Sequence, residues 1–158
     1  MTVRIDYPKT SPGGLTAMLG LERHVRKSGL EADLLELVRL RASQLNGCAY
    51  CIDMHTKDAR AAGETEQRLH GVVAWRETPY YTERERAALA WTEAVTGIGD
   101  RGVSEALFRE VREHFSEEEL VDLTLALVAI NGWNRLAISF GAPVGSYEPG
   151  SVAQALAG

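Results

Sequence analysis

The stretch Glu36-Leu37-Val38-Arg39-Leu40-Arg41-Ala42-Ser43-Gln44-Leu45-Asn46-Gly47-Cys48-Ala49-Tyr50-Cys51-Ile52-Asp53-Met54-His55 decides the fold. Upstream of Gly47, Leu34, Leu37, Val38, Leu40 and Leu45 recur at helical spacing, predicting a helix over residues 31–46. Gly47 can turn the chain. A further helix is expected from Cys48 to the glycine stop at Gly63. If these helices fold back on one another around Gly47, residues on either side of the turn meet. Glu36 lies eleven residues before Gly47 and His55 eight after it. At about 1.5 Å rise per residue, their heights differ by roughly 4–5 Å. A carboxylate so placed could orient the imidazole.

Cys48 and Cys51 are the only cysteines of the chain and form one CxxC pair at a helix start. Residues four apart share a helix face, so His55 can approach the sulfur of Cys51. A helix N-terminus and a nearby imidazole both favour thiolate over thiol, the reactive form of cysteine. A nucleophile, a base and an orienting acid follow from spacing alone.

Outward from this hairpin, the chain reads as helical throughout. Residues 1–13 read as an irregular arm, broken by Pro8, Pro12 and Gly13-Gly14. Leu15, Met18, Leu19, Leu21 and Val25 mark a first helix ending near Ser28-Gly29. A fourth is expected from Thr65 to before Pro79. Thr82-Glu83-Arg84-Glu85 and Ser116-Glu117-Glu118-Glu119 match capping boxes that open the fifth and the last helices. Between them Ser104 opens a sixth, after Gly97, Gly99 and Gly102. The last helix runs to about Phe140 and is apolar nearly all round between Leu120 and Ile130, which predicts burial on all sides, partly by another subunit. No period-two alternation suggests a strand. The expectation is an all-α single domain of six to seven helices over residues 1–158, with its core at about 15–142 and an irregular tail after Pro143.

The chain of 158 residues suits one domain. A net charge of −5 and a pI near 5.4, with no basic stripe, argue against a nucleic-acid partner. The N-terminus has no apolar signal core, and no uninterrupted apolar run suggests a membrane span. A cytoplasmic location is expected. In a reducing compartment a lone CxxC is catalytic or metal-binding rather than a staple.

Blander readings exist for each part. The cysteines could be two buried small residues, or half a zinc site with His55 as third ligand, although no second CxxC or HxxxH supplies a fourth. Glu36 alone on a charged helix is ordinarily solvated. His24, His70 and His114 read as surface or satisfied histidines. Trp133-Asn134-Arg135 reads as helix packing, with pocket lining the alternative.

The run from Glu36 to His55 closely resembles the alkyl hydroperoxidase D-like (AhpD-like) group of the carboxymuconolactone decarboxylase superfamily. That group's signature is a Glu, eleven residues, CxxC, three residues and a His. Further similarity lies at residues 57–63, 66–69, 83–93 and 131–137, so it covers most of 31–140. The resemblance implies an all-helical fold, homo-oligomers (trimers or hexamers) and a thiol-dependent peroxidase cycle. Carried over by position, it makes Cys51 the attacking cysteine, Cys48 the resolving one, and His55 with Glu36 the proton relay. The best-known hydroperoxidase of the group has a histidine beside the attacking cysteine. Tyr50 stands there instead, which removes a proton donor and a source of positive potential. The decarboxylase branch lacks the redox pair. No flavin or nicotinamide motif is present, so no tightly bound cofactor is expected. The reductant would be an external dithiol, a lipoyl group or a thioredoxin-like protein. The rival readings are a general thiol-disulfide oxidoreductase or redox sensor, and a zinc-stabilised oligomerisation module.

Overall fold

The computed structural model describes residues 2–99 and 102–151. They form eight α-helices and a 3₁₀ segment, with no strand among the described residues. The central pair is α3 (Ala32–Asn46) and α4 (Ala49–Ala61), folded back on each other around Gly47. Gly47 is the left-handed C-cap of α3, at φ 68° and ψ 30°, a conformation that strains any residue with a Cβ. Cys48 follows at once as the N-cap of α4.

Against this hairpin pack α6 (Glu83–Thr96) and α8 (Glu117–Phe140), α2 (Pro12–Lys27) lies along α8, and α7 (Glu105–Arg112) closes the far side against α6 and α8. The main core joins Val25 of α2, Leu34, Leu35 and Val38 of α3, Ala88 and Trp91 of α6, and Leu123, Leu127 and Ile130 of α8. Both cysteines belong to this core. A second cluster, with Leu37, Leu40, Val72, Trp75 and Leu89, lies on the other face of α3. Both capping boxes form: Thr82 with Glu85, and Ser116 with Glu119.

The structure differs from the sequence reading in three places. The N-terminal arm is not irregular: α1 (Tyr7–Thr10) forms, and Pro12 and Gly13-Gly14 lie in the first turn of α2. Proline is pre-shaped for that position and lacks only an N–H that would be unpaired anyway. The arm is tied to the end of α8 by the Arg4 N–H to the Phe140 carbonyl at 2.9 Å. The fourth helix is two pieces, α5 (Glu66–Gly71) and a 3₁₀ segment Val72–Glu77. The tighter winding stacks Val72 and Trp75, three apart, on one buried face and leaves Val73 out. Leu45, expected inside, is exposed.

The last helix, α8, is expected from its sequence to be buried partly by another subunit. By length and composition it could cross a membrane, but it lies in the core by Leu120, Leu123, Ala126, Leu127 and Ile130. It is not buried all round within one chain. Val121 is 59% exposed and Val128 52%, with Leu125 half-buried between them on the same face.

Candidate active site

The four residues singled out by spacing come together. His55 Nδ1 lies 2.7 Å from Glu36 Oε2 across the α3–α4 hairpin. The two sulfurs are 2.8 Å apart as free thiols, each only 1% exposed. His55 is 5% exposed, and its Nε2 is buried with no hydrogen-bond partner. The ring is thus held at one nitrogen and free at the other.

Glu36 is shared. Arg39, one turn on along α3, donates from Nη1 to Glu36 Oε1 at 3.0 Å. Burial pushes the Glu36 carboxyl up, but the His55 ring and the Arg39 guanidinium outweigh it and hold it at about 2. Glu36 is therefore a carboxylate at any ordinary pH.

The thiols divide their proton unequally. Cys48 is held down at about 7. The proton borne by Cys51 is the largest cause. Burial opposes it, and the Cys51 backbone N–H, the Asn134 amide and the His55 ring add to it. Cys51 is pushed up by holding that proton against Cys48, and further by burial. The expectation that the helix start would acidify Cys51 is thus corrected. Both sulfurs lie at the first turn of α4, and the contact between them decides which one is acidic.

The two sulfurs also differ in what they face. Cys51 lines a cavity of about 180 Å³. Its walls are apolar, from Leu15, Leu19, Met54, Trp133 and Ala137, with the rings of Tyr7 and Tyr50. Its polar lining is Glu22, Arg26, Glu36, Arg39, His55 and Asp58, and Cys48 is not among the lining residues. Both phenols are pushed up, first by burial and then by neighbouring charge, so they stay protonated. Tyr50 accordingly supplies no positive charge beside Cys51.

Sequence reasoning missed several members of this site. Glu22 on α2 and Arg39 are buried in it, at 7% and 3% exposure. Trp133 lines the cavity, the alternative weighed beside packing for its segment, and its Nε1 donates to Glu22 Oε1 at 3.0 Å. Asn134 is fully buried behind the cysteine loop. It donates to Ser43 Oγ at 3.1 Å and accepts from Asn46 Nδ2 at 2.8 Å. Arg135 is exposed and bonds its own helix at the Asn131 carbonyl. The one available signal was charge: Glu22 and Arg39 each interrupt an apolar face. His24, read as surface or satisfied, is both: its side chain is about half exposed and pairs with Asp122 of α8 at 2.7 Å. Among the described residues, no group of three His, Cys, Asp or Glu side chains is arranged to hold a metal ion.

The site thus combines a helical fold, a buried pair of thiols, a carboxylate-held imidazole and a largely apolar cavity. Comparison with known proteins places it further. The sequence model of the carboxymuconolactone decarboxylase family matches residues 12–94. The chain is 44% identical over 141 residues to the uncharacterized protein YdfG of Bacillus subtilis, covering 89% of this chain and 96% of YdfG. The crystal structure of ATU0492 from Agrobacterium tumefaciens superposes with a TM-score of 0.88 at 46% identity, covering 92% of this chain and all of that one. ATU0492 is a protein of unknown function with a provisional assignment to the antioxidant-defence protein AhpD. A peroxidase-related protein with an alkylhydroperoxidase AhpD core, from Ralstonia eutropha, shares the fold at a TM-score of 0.77 and 23% identity, over 88% of this chain and 74% of that one. The chain belongs to the carboxymuconolactone decarboxylase family, in its AhpD-like group.

Proposed function

We propose that the protein is a thiol-dependent peroxidase of the alkyl hydroperoxide reductase type, recycled by an external dithiol. The observation that carries this reading is the pairing of Cys51 with a partly open, largely apolar cavity that His55 also lines. A cavity near 150 Å³ lined by apolar side chains is known to admit a benzene ring. Some 180 Å³ gives room for the organic group of a compact hydroperoxide.

The cycle starts with one proton shared by the sulfurs and one on His55. Cys51 sulfur attacks the terminal oxygen of the hydroperoxide as its proton passes to Cys48. The O–O bond breaks, and the leaving alkoxide takes the His55 proton to become an alcohol. Cys51 is now a sulfenic acid. Cys48 attacks that sulfur, the S–O bond breaks, and hydroxide leaves with the Cys48 proton as water. The sum is one hydroperoxide and two thiols giving one alcohol, one water and one disulfide. The dithiol partner restores the thiols by exchange. With both sulfurs 1% exposed, a lipoyl group on a slender arm suits the cavity better than the flat face of a thioredoxin-like protein.

Cys48→Ser tests the reading. It should form a trappable sulfenic acid at Cys51 and fail to turn over. Repeated turnover with a dithiol would contradict the role of Cys48.

One observation favours a second reading. The more acidic thiol is Cys48 at the helix start, an arrangement suited to disulfide exchange. A general thiol-disulfide oxidoreductase would react faster with a model disulfide than with cumene hydroperoxide, and comparison of the two rates separates the readings. In either case the exposed stripe of Val121, Leu125 and Val128 supports a homo-oligomer.

A further inference from the structure

The relay does not end at Glu36. Arg39 donates from Nη1 to Glu36 and from Nη2 to Glu22 Oε2 at 2.8 Å. Glu22 comes from α2, a different helix, and the Trp133 indole of α8 fixes its other oxygen. Three helices thus converge on one buried row: Glu22, Arg39, Glu36, His55. A buried ion pair seldom stabilises a fold more than a well-packed apolar pair of the same volume. Arg39 is not even fully satisfied, because its buried Nε has no partner. The arrangement holds two carboxylates and an imidazole in register about one guanidinium.

The charges decide what the row does. Glu36 and Arg39 alone would cancel, and a proton on His55 would leave a net positive charge in an apolar cavity. Glu22 adds the missing negative charge. With Glu22 ionised, the row is electrically balanced when His55 is protonated. We propose that Glu22 is a positioning residue of the relay: by neutralising Arg39, it leaves the charge of Glu36 to an imidazolium at His55. The inference rests on the peroxidase reading only for the use made of that proton. Other ionisable groups near the ring are Cys48 and Cys51 on its own helix, Tyr7 on α1, and Tyr50. Arg26 and Asp58 line the same cavity.

Two substitutions with opposite signs test this. Glu22→Gln removes a negative charge, so the thiolate becomes easier and the imidazolium harder to form. Both the thiolate titration and the His55 titration should move to lower pH, by about one pH unit for a charge at this range. Arg39→Met removes a positive charge and should move both to higher pH by a similar amount. The double variant Glu22→Gln/Arg39→Met should return both close to their starting positions. The thiolate is read from the pH dependence of iodoacetamide labelling and His55 from its ring resonances in NMR, both in the reduced full-length protein. If Glu22→Gln does not fold, the comparison of Arg39→Met with the double variant still decides, because loss of Glu22 should lower both titrations from the one to the other. Titrations that stay in place while labelling merely slows, or that move the same way in both variants, would overturn the proposal. Titrations that move as expected in a protein inert to cumene hydroperoxide would uphold it and remove the peroxidase reading.

Discussion

His55 Nδ1 sits 2.7 Å from Glu36 Oε2, so the two side chains form one unit spanning the α3–α4 turn. Glu36→Gln keeps the size and one hydrogen-bonding oxygen but loses the charge that stabilises an imidazolium. Oxidation of Cys51 by cumene hydroperoxide should slow by about 10²-fold, the lower end for a general acid–base contribution. His55→Ala should cost at least as much. The double variant should be little worse than His55→Ala, because groups acting as one are not additive. Stopped-flow rates for the four proteins measure this, and multiplicative losses would mean that the two residues act separately.

The contact between the sulfurs predicts a second result. Cys48 is held at about 7 chiefly by the proton on Cys51. Cys51→Ala removes that proton donor and should move the Cys48 thiolate midpoint up from about 7 toward the ordinary thiol value of about 8.5. Ultraviolet absorbance of the thiolate against pH reads the midpoint. A midpoint that stays put would show that the helix end and Asn134 carry the effect without Cys51.

How much of this was legible in the sequence depends on range. Glu36, Cys48, Cys51 and His55 all lie within one hairpin, so residue spacing and the turn at Gly47 placed them. Capping boxes located the starts of α6 and α8 for the same local reason. Glu22 and Trp133 reach the site from helices that sequence spacing cannot bring together, since their approach depends on how α2 and α8 cross the hairpin. The acidity of Cys48 was missed because it comes first from the contact between the two sulfurs, and spacing gives that they are near but not which of them keeps the proton. The arm was misread because proline and glycine break a helix interior yet are tolerated in its first turn.

The exposed face of α8 gives a prediction about assembly. Val121, Leu125 and Val128 are spaced to form one apolar stripe on the surface of a single chain. Light scattering at micromolar concentration should find a species several times the 17.3 kDa of one chain. Val128→Glu should lower that mass by placing a charge in the buried seam. A monodisperse 17.3 kDa protein would leave the stripe without a partner.

The most direct test of the peroxidase account is a single turnover without reductant. Fully reduced protein is mixed with limiting cumene hydroperoxide, and the alcohol formed, the thiols lost and the disulfide are measured together. The account predicts cumyl alcohol in an amount equal to the Cys48–Cys51 disulfide, with two thiols lost per alcohol and no product from Cys51→Ser. Peroxide left unconsumed while the same protein rapidly reduces a model disulfide would contradict it, and would make the dithiol an exchange centre instead.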